Sequence, residues 1–417
     1  MSSVAKKIRK GDSAIAFLLG LSVCEGISRV FSVGNTSFSF AEVIASLCFV
    51  YFCFKRPGEV LSFFKKVPFG FKLFFIAILC SSFSAVIHFS SIGVLGRYIA
   101  GMVYLAVILT VAIDVYVLRE SKRHIFNGLA LGLTLNMLIS VISYISFTRG
   151  NVISFETVFP QEGFYTPVQT FRSQGFFLEP SHFVRFVATV VLIIIANKQS
   201  KSGIIAKIVF TALLITTVAL STSGTVVILA ISVFVFLLLQ KTNKKSRMLG
   251  VALLIAVALF LAYLFVFGSD ISSFEELINK ILLGADISSE DNAERYNAMR
   301  ESVGYLKDTV LGCGWNMVGT LFDYNGSDTV SSFSDLLEMT LELGFVGITI
   351  YVLAVANVAV KLFKKKNNYS TALALSLLTV IAIQVGTDYA FNSCIMMLLG
   401  LIVSDLSDNS SEPIGVQ

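Results

Sequence analysis

The chain has 417 residues, of which 55% are hydrophobic and only 14% charged; soluble domains carry roughly 25% charged residues, so this composition excludes an ordinary soluble fold and, with a mean hydropathy of +0.80, places the chain in lipid. The net charge of +5 does not point to nucleic acid, because the basic residues stand in short clusters between apolar runs, the pattern that orients membrane spans. Six cysteines without CxxC or Cys/His spacing offer no metal site or cofactor attachment, and only Cys313 falls in a candidate outer loop.

Lys6, Lys7, Arg9 and Lys10 precede an apolar run in the manner of a signal peptide, but no small-residue cleavage site follows and further spans do. The run reads as an uncleaved first helix. Apolar runs recur at 13–32, 37–54, 70–89, 94–117, 125–147, 182–197, 204–221, 224–240, 248–268, 335–360, 370–386 and 390–404. A bilayer core is crossed by about 20 residues of helix, and continuous apolar runs exclude a barrel, whose strands alternate. The predicted fold is all-α: a polytopic integral membrane protein with about twelve transmembrane helices, forming a single transmembrane domain over 1–417.

Orientation follows from the basic clusters. They stand at 6–10, 55–72, 119–123, 198–207, 241–247 and 361–366, and all fall on one side if the spans alternate. That side is cytoplasmic by the positive-inside rule, so both termini are cytoplasmic and the expected location is an inner, cytoplasmic membrane. The remaining basic residues, Arg29, Arg97, Arg149, Arg172, Arg185, Lys280, Arg295, Arg300 and Lys307, lie on outer loops or the helix ends facing them. Basic residues kept on that side call for a reason, and an anionic ligand is one.

Two outer connections are long, a first periplasmic loop at 148–181 and a second at 269–334. Loops of this length are functional or disordered. The second contains a predicted helix over 292–311 with an apolar stripe at Tyr296, Met299, Val303, Leu306 and Val310. The first closes on Phe171-Arg172-Ser173-Gln174-Gly175-Phe176-Phe177-Leu178-Glu179-Pro180-Ser181-His182. Pro180 suits the first turn of a helix, and Glu179 before it would be favoured by the helix dipole. His182 and Arg185 follow at steps of three. A capped helix end with a Glu–Arg pair is the plain structural alternative. Arginine's planar fork matches a diphosphate, which makes Arg172, Arg185, Arg295 and Arg300 candidates for binding one; two arginines on an amphipathic helix also occur as a solvated face.

Within the apolar runs, Glu25 and Arg29 have the spacing of a helical ion pair. Glu42, Asp114, Glu338 and Glu342 are each expected to face a partner or a wet cavity, because an isolated charge in hydrocarbon is costly. Arg97 either joins the arginine cluster or snorkels. No GxSxG, HExxH, Walker or GxGxxG motif occurs, and the cytoplasmic loops are too short and basic for a nucleotide-sugar domain. A transferase of this shape takes a donor already in the membrane.

The FRSQGFFLEPSH stretch resembles the R…G…EPS signature of bacterial O-antigen polymerases (Wzy-type). Arg295, Arg300 and Leu311-Gly312-Cys313-Gly314-Trp315 resemble that family's second outer loop, and Glu342-Leu343-Gly344-Phe345-Val346-Gly347 resembles the ExGxxG that opens its next span. The resemblance runs from about residue 125 to 360. It implies a metal-independent membrane glycosyltransferase without cofactor, joining undecaprenyl-diphosphate-linked oligosaccharides at the periplasmic face, beside membrane lipid and a chain-length regulator protein. On this resemblance Arg172, Glu179, His182 and Arg295 are the catalytic candidates, and Arg172, Arg185, Arg295 and Arg300 hold the diphosphate. O-antigen ligases share the superfamily; they have a His-Asn pair before the ExGxxG helix, where this chain has Phe333-Ser334. That departure favours polymerase and leaves Asp335, Glu179 or His182 as the base. A ligase, a polysaccharide flippase or transporter, and a non-catalytic scaffold are the alternatives. Transporters place their charges at mid-membrane, whereas the charges of interest here stand on outer loops.

Overall fold

The computed structural model describes residues 10–24, 31–33, 36–90, 92–151, 153, 172–177, 180–197, 204–221, 223, 225–239, 290–327, 332, 334–386 and 392–408. In chain order the elements are α1 (Lys10–Ser22), β1 (Phe31–Val33), β2 (Thr36–Phe38), α2 (Phe40–Lys55), α3 (Pro57–Lys66), α4 (Phe69–Phe89), α5 (Leu95–Val117), α6 (Lys122–Thr148), α7 (Pro180–Ala196), α8 (Ile204–Leu220), α9 (Thr225–Leu239), α10 (Glu290–Tyr305), α11 (Val318–Tyr324), α12 (Asp335–Lys364), α13 (Asn368–Gly386) and α14 (Ser393–Ser407). The two strands form one small antiparallel hairpin with Phe31 opposite Phe38; the other described residues are helix, turn or loop.

Among the described residues, five helices are long and apolar enough to cross a membrane: Phe69–Phe89, Ile92–Val117, Arg119–Thr148, Asp335–Lys364 and Asn368–Val385. Shorter apolar helices occupy Gly11–Ser22, Pro180–Ala196, Val209–Leu220, Thr225–Leu239 and Ser393–Ser407. The chain is a helical membrane protein. The predicted run at 248–268 lies outside the described residues; the others meet helices for all or part of their described length, the run at 13–32 leaving α1 at Ser22 and ending in β1, and several of these helices fall short of full crossing length. Helix α3 was not anticipated, because a ten-residue amphipathic turn between two apolar runs leaves no long periodic signal.

The periphery shows the solvent for which the helices are built. On α4, Phe71, Phe74, Ile78, Ser81, Ala85 and Phe89 are buried at steps of three and four, while Ile76, Leu79, Phe83 and Ile87 on the other side are exposed. Both faces are apolar, so the helix has little amphipathicity, as expected of a span with lipid on one side. Helix α5 is central at one end, with every residue from Thr110 to Leu118 buried. Helix α1 lies tight on α6, where a Cβ on Gly20 would sit 2.2 Å from Ile125 O and one on Gly128 2.2 Å from Phe17 O. Small residues that let backbones touch replace the hydrophobic effect as the packing force within lipid.

Several basic residues of the described turns are tied into one end of the bundle. Arg56 pairs with Asp12, Arg119 with Glu59 at 3.2 Å, and Lys365 with Asp405 at 3.4 Å. Lys122 stands over the Tyr369 ring at 5.3 Å. The buried acids are mostly partnered. Glu42 completes a capping box, its Oε2 accepting from Ser39 N–H at 2.8 Å, and its Oε1 accepts from Ser393 Oγ at 3.2 Å and Tyr104 OH at 3.4 Å. Asp114 departs from the expectation of a partner: it is fully buried, and neither carboxylate oxygen has a hydrogen-bond partner among the described residues. Glu25 and Arg29 lie outside the described residues.

Candidate active site

The end of the first long loop turns into the bundle. Ser173 N–H donates to Leu220 O at 3.0 Å, and Arg172 Nε donates to Ser221 O at 3.2 Å. Leu220 O is the last carbonyl of α8 and Ser221 O the one after it, at the helix C-terminus that is attractive to a cation. Two residues on, Gly175 N–H donates to Ser140 Oγ at 3.0 Å and Phe176 N–H donates to Asn136 Oδ1 at 2.7 Å. Asn136 Nδ2 in turn donates to Cys24 O at 2.7 Å and Gly132 O at 2.9 Å. Ser173, Gln174 and Phe177 are buried, and Phe177 stacks against Phe183 and Phe186 of α7 with centroids 6.0 and 5.3 Å apart.

Residues 172–177 are therefore clamped between the C-terminal end of α8 and a polar step on α6. Gly175 adopts φ +59°, and a Cβ on it would lie 2.4 Å from Asn136 Oδ1, so the turn needs glycine. Helix α7 begins at Pro180. His182 is half-buried one turn in, and Arg185 is 6% exposed on the next. Glu179 lies outside the described residues.

The second long loop closes on α12. Gly344 breaks that helix with φ 69° and ψ 178°, and residues 310–314 pair with the break as a short strand would. Cys313 N–H donates to Leu341 O at 2.8 Å, Gly314 N–H to Glu342 O at 2.9 Å, and Phe345 N–H to Val310 O at 3.3 Å. The Glu342 side chain turns the other way and accepts from the backbone N–H groups of Asn316, Met317 and Val318, the start of α11. The LGCGW and ELGFVG motifs are thus two halves of one latch. Burial, and then the Glu342 carboxylate, push the Cys313 thiol up from its ordinary value, so this cysteine stays a protonated packing residue rather than a nucleophile.

At the start of α12, Ser334 Oγ accepts from Leu337 N–H at 3.4 Å and donates to Val385 O at 2.9 Å. Glu338 Oε1 accepts from Ser332 N–H at 2.9 Å. Asp335 is buried at the first helical position. Arg97 reaches α11: its Nη1 donates to Thr320 Oγ1 at 2.8 Å and pairs with Asp323 at 3.3 Å.

The helix of the second loop is α10, and its buried stripe is not the predicted one. Val303 and Val310 are exposed, whereas Ala298 and Ser302 are buried four residues apart. Small residues admit a closer approach than valine, so they take the contact. Tyr305 OH donates to Glu301 Oε1 at 2.8 Å; burial first, then that carboxylate, push its pKa up to about 12. Arg300 is exposed on α10, and the Arg295 side chain lies outside the described residues. The four predicted arginines thus divide: Arg172 and Arg185 are built into the helical body, and Arg300 stands on a surface.

Asn136 and Ser140 were missed in the sequence, although the signal was present: an asparagine in mid-run is expensive unless it has work. Asn136→Leu removes an acceptor and a donor from a buried network. Losing the buried bonds to Phe176 N–H and Cys24 O costs at least about 1–3 kcal/mol. The variant is expected to lose its sharp peak in detergent size exclusion or to melt earlier, whereas Ser140→Ala, which removes one bond, is expected to lose less.

A family model described as O-Antigen ligase matches residues 207–352. The match starts in α8 and ends in α12, so it takes in α10, the LGCGW turn, Glu342 and Gly344, while the clamped segment at 172–177 precedes it. It supports placing the chain in the superfamily of O-antigen ligases and polymerases. No curated protein matches the chain.

Proposed function

We propose that the protein is an O-antigen polymerase of the inner membrane. The observation that carries this reading is the placement of Arg172 and Arg185 in the body of a membrane bundle, Arg172 in the clamped segment that the sequence likens to the polymerase signature and Arg185 on the α7 helix that follows it. A lipid diphosphate at the membrane face is the anion that guanidinium groups in such a place suit, because the planar fork matches its oxygens.

In this reading the donor is a growing polysaccharide on undecaprenyl diphosphate, and the acceptor is one lipid-linked repeat unit. The acceptor hydroxyl attacks the anomeric carbon of the donor. The C–O bond to the diphosphate breaks, and undecaprenyl diphosphate leaves with the bonding pair. Arg172, Arg185, Arg295 and Arg300 stabilise the charge that develops on the leaving group. Glu179 or His182 takes the hydroxyl proton. A chain-length regulator is the expected protein partner, and the periplasmic side the expected site of chemistry.

The ligase reading has one observation in its favour, the description of the matched family. Against it stands the Phe333-Ser334 pair, with no His-Asn before the ExGxxG helix. Deleting the gene in its host and separating the surface lipopolysaccharide on a gel distinguishes the two. Loss of the ladder with core plus one repeat retained is the polymerase result. Loss of all substituted core overturns it in favour of ligase or flippase.

A further inference from the structure

The inter-helix segment at 55–72 holds a surface that the proposed chemistry does not use. Helix α3 presents three distinct sides. Val60 and Phe63 are buried, and Phe63 meets the Tyr116 ring of α5 edge-on at 5.7 Å; Ser62 Oγ shares a hydrogen bond with Tyr116 OH at 3.0 Å. A second side exposes Leu61 at 60% and Phe64 at 47%, flanked by Phe54 at 83% and Phe69 at 71%. The third is basic, with Lys65 and Lys66 exposed and Lys55 exposed at the end of α2.

The charges nearby are already sorted. Arg56 is paired with Asp12, and Glu59 with Arg119, whose guanidinium also covers Tyr116 at 4.7 Å. Lys72 Nζ donates to Lys65 O at 3.0 Å. Lys55, Lys65 and Lys66 form no ion pair among the described residues. A ten-residue helix with apolar side chains turned outward on one side and unneutralised lysines beside them is the pattern of a helix lying in the membrane interface, its apolar side in the acyl boundary and its cations at the head groups.

We propose that α3 and the flanking Lys55 form a binding site for anionic phospholipid, with Leu61, Phe64, Phe54 and Phe69 against the acyl chains and Lys55, Lys65 and Lys66 on the phosphate. Charge complementarity selects this occupant: three cations without an ion pair among the described residues border the apolar strip, while Asp12 and Glu59 are paired with arginines. The site is independent of the transferase reading.

The test is native mass spectrometry of the full-length protein released from detergent, titrated with cardiolipin or phosphatidylglycerol against phosphatidylcholine. The wild type is expected to retain the anionic lipids in preference. The triple variant Lys55→Gln/Lys65→Gln/Lys66→Gln is expected to weaken that retention by at least about tenfold, on the scale of the attraction between membrane-surface lysines and anionic lipid, and the corresponding Lys→Arg triple to preserve it. Lys361→Gln/Lys364→Gln/Lys366→Gln removes equal charge from exposed positions on a different turn and is expected to retain lipid as the wild type does. Equal loss in both glutamine triples, or no anionic preference in the wild type, overturns the proposal.

Discussion

Arg172→Ala is expected to reduce polymer to the single-repeat form, with the ladder lost from surface lipopolysaccharide at normal protein abundance. The expected size comes from removing a charged donor from a developing oxyanion, which costs about 3–4 kcal/mol, or about two to three orders of magnitude in rate. The structure sharpens the test. Arg172 Nε also donates to Ser221 O at the end of α8, so a purely structural arginine would reveal itself as a loss of folded protein. Membrane abundance and size exclusion therefore have to be read beside the ladder. Arg172→Lys keeps the charge but loses the planar fork. It is expected to keep the fold and to recover short chains only. Full-length polymer in Arg172→Ala at wild-type yield would remove this arginine from the site. Arg300, exposed on α10, is expected to matter less to folding and to show its effect, if it touches the diphosphate, only in the ladder.

How much of this was legible beforehand depended on which force set each feature. The apolar runs that became α4, α5, α6, α12 and α13 were plain, because a span must satisfy its own backbone and pays for every polar residue; composition alone finds it. The start of α7 at Pro180 was also plain, since the missing N–H makes that position local chemistry. Features fixed by contact across the chain were not. The clamp on 172–177 is made by Asn136 and Ser140 on α6 and by carbonyls of α8, more than 30 residues away in each direction, and nothing in FRSQGFF announces it. The stripe on α10 was misread for a similar reason. Periodicity favours large apolar residues, but small ones admit the closest approach between helices, so Val303 faces out while Ala298 and Ser302 are buried. The ExGxxG motif is visible in the sequence by likeness, but its physical content, a helix break stitched to a distant turn, is a contact across the chain that no local pattern carries.

That stitching carries the largest expected effect on stability. Gly344→Ala is expected to abolish a monodisperse folded species, and Gly312→Ala to do nearly as much. At Gly344 the backbone holds φ 69° and ψ 178°, a region essentially closed to residues with a Cβ, and such strain costs on the order of 1–3 kcal/mol. A Cβ there would also lie 2.4 Å from Val310 O, and one at Gly312 would lie 2.2 Å from Glu342 O. These neighbours are backbone, fixed by the hydrogen bonds from Cys313, Gly314 and Phe345, so relief requires opening the latch. The overpacking adds about 1–3 kcal/mol, and the sum is a large part of the roughly 5–15 kcal/mol that holds a typical protein folded. Gly304→Ala and Gly319→Ala provide the contrast: a Cβ at either meets nothing within 4 Å, and alanine in a helix is favoured over glycine by about 1 kcal/mol. Both are expected to melt at or above the wild-type temperature in detergent. Glu342 gives a chemical reading of the same latch. Glu342→Gln keeps an oxygen for the N–H groups of Asn316, Met317 and Val318 and is expected to fold, whereas Glu342→Leu leaves these donors buried without an acceptor and is expected to fail with Gly344→Ala. If Glu342→Leu folded as well as Glu342→Gln, the carboxylate would not be what holds α11 to the break in α12.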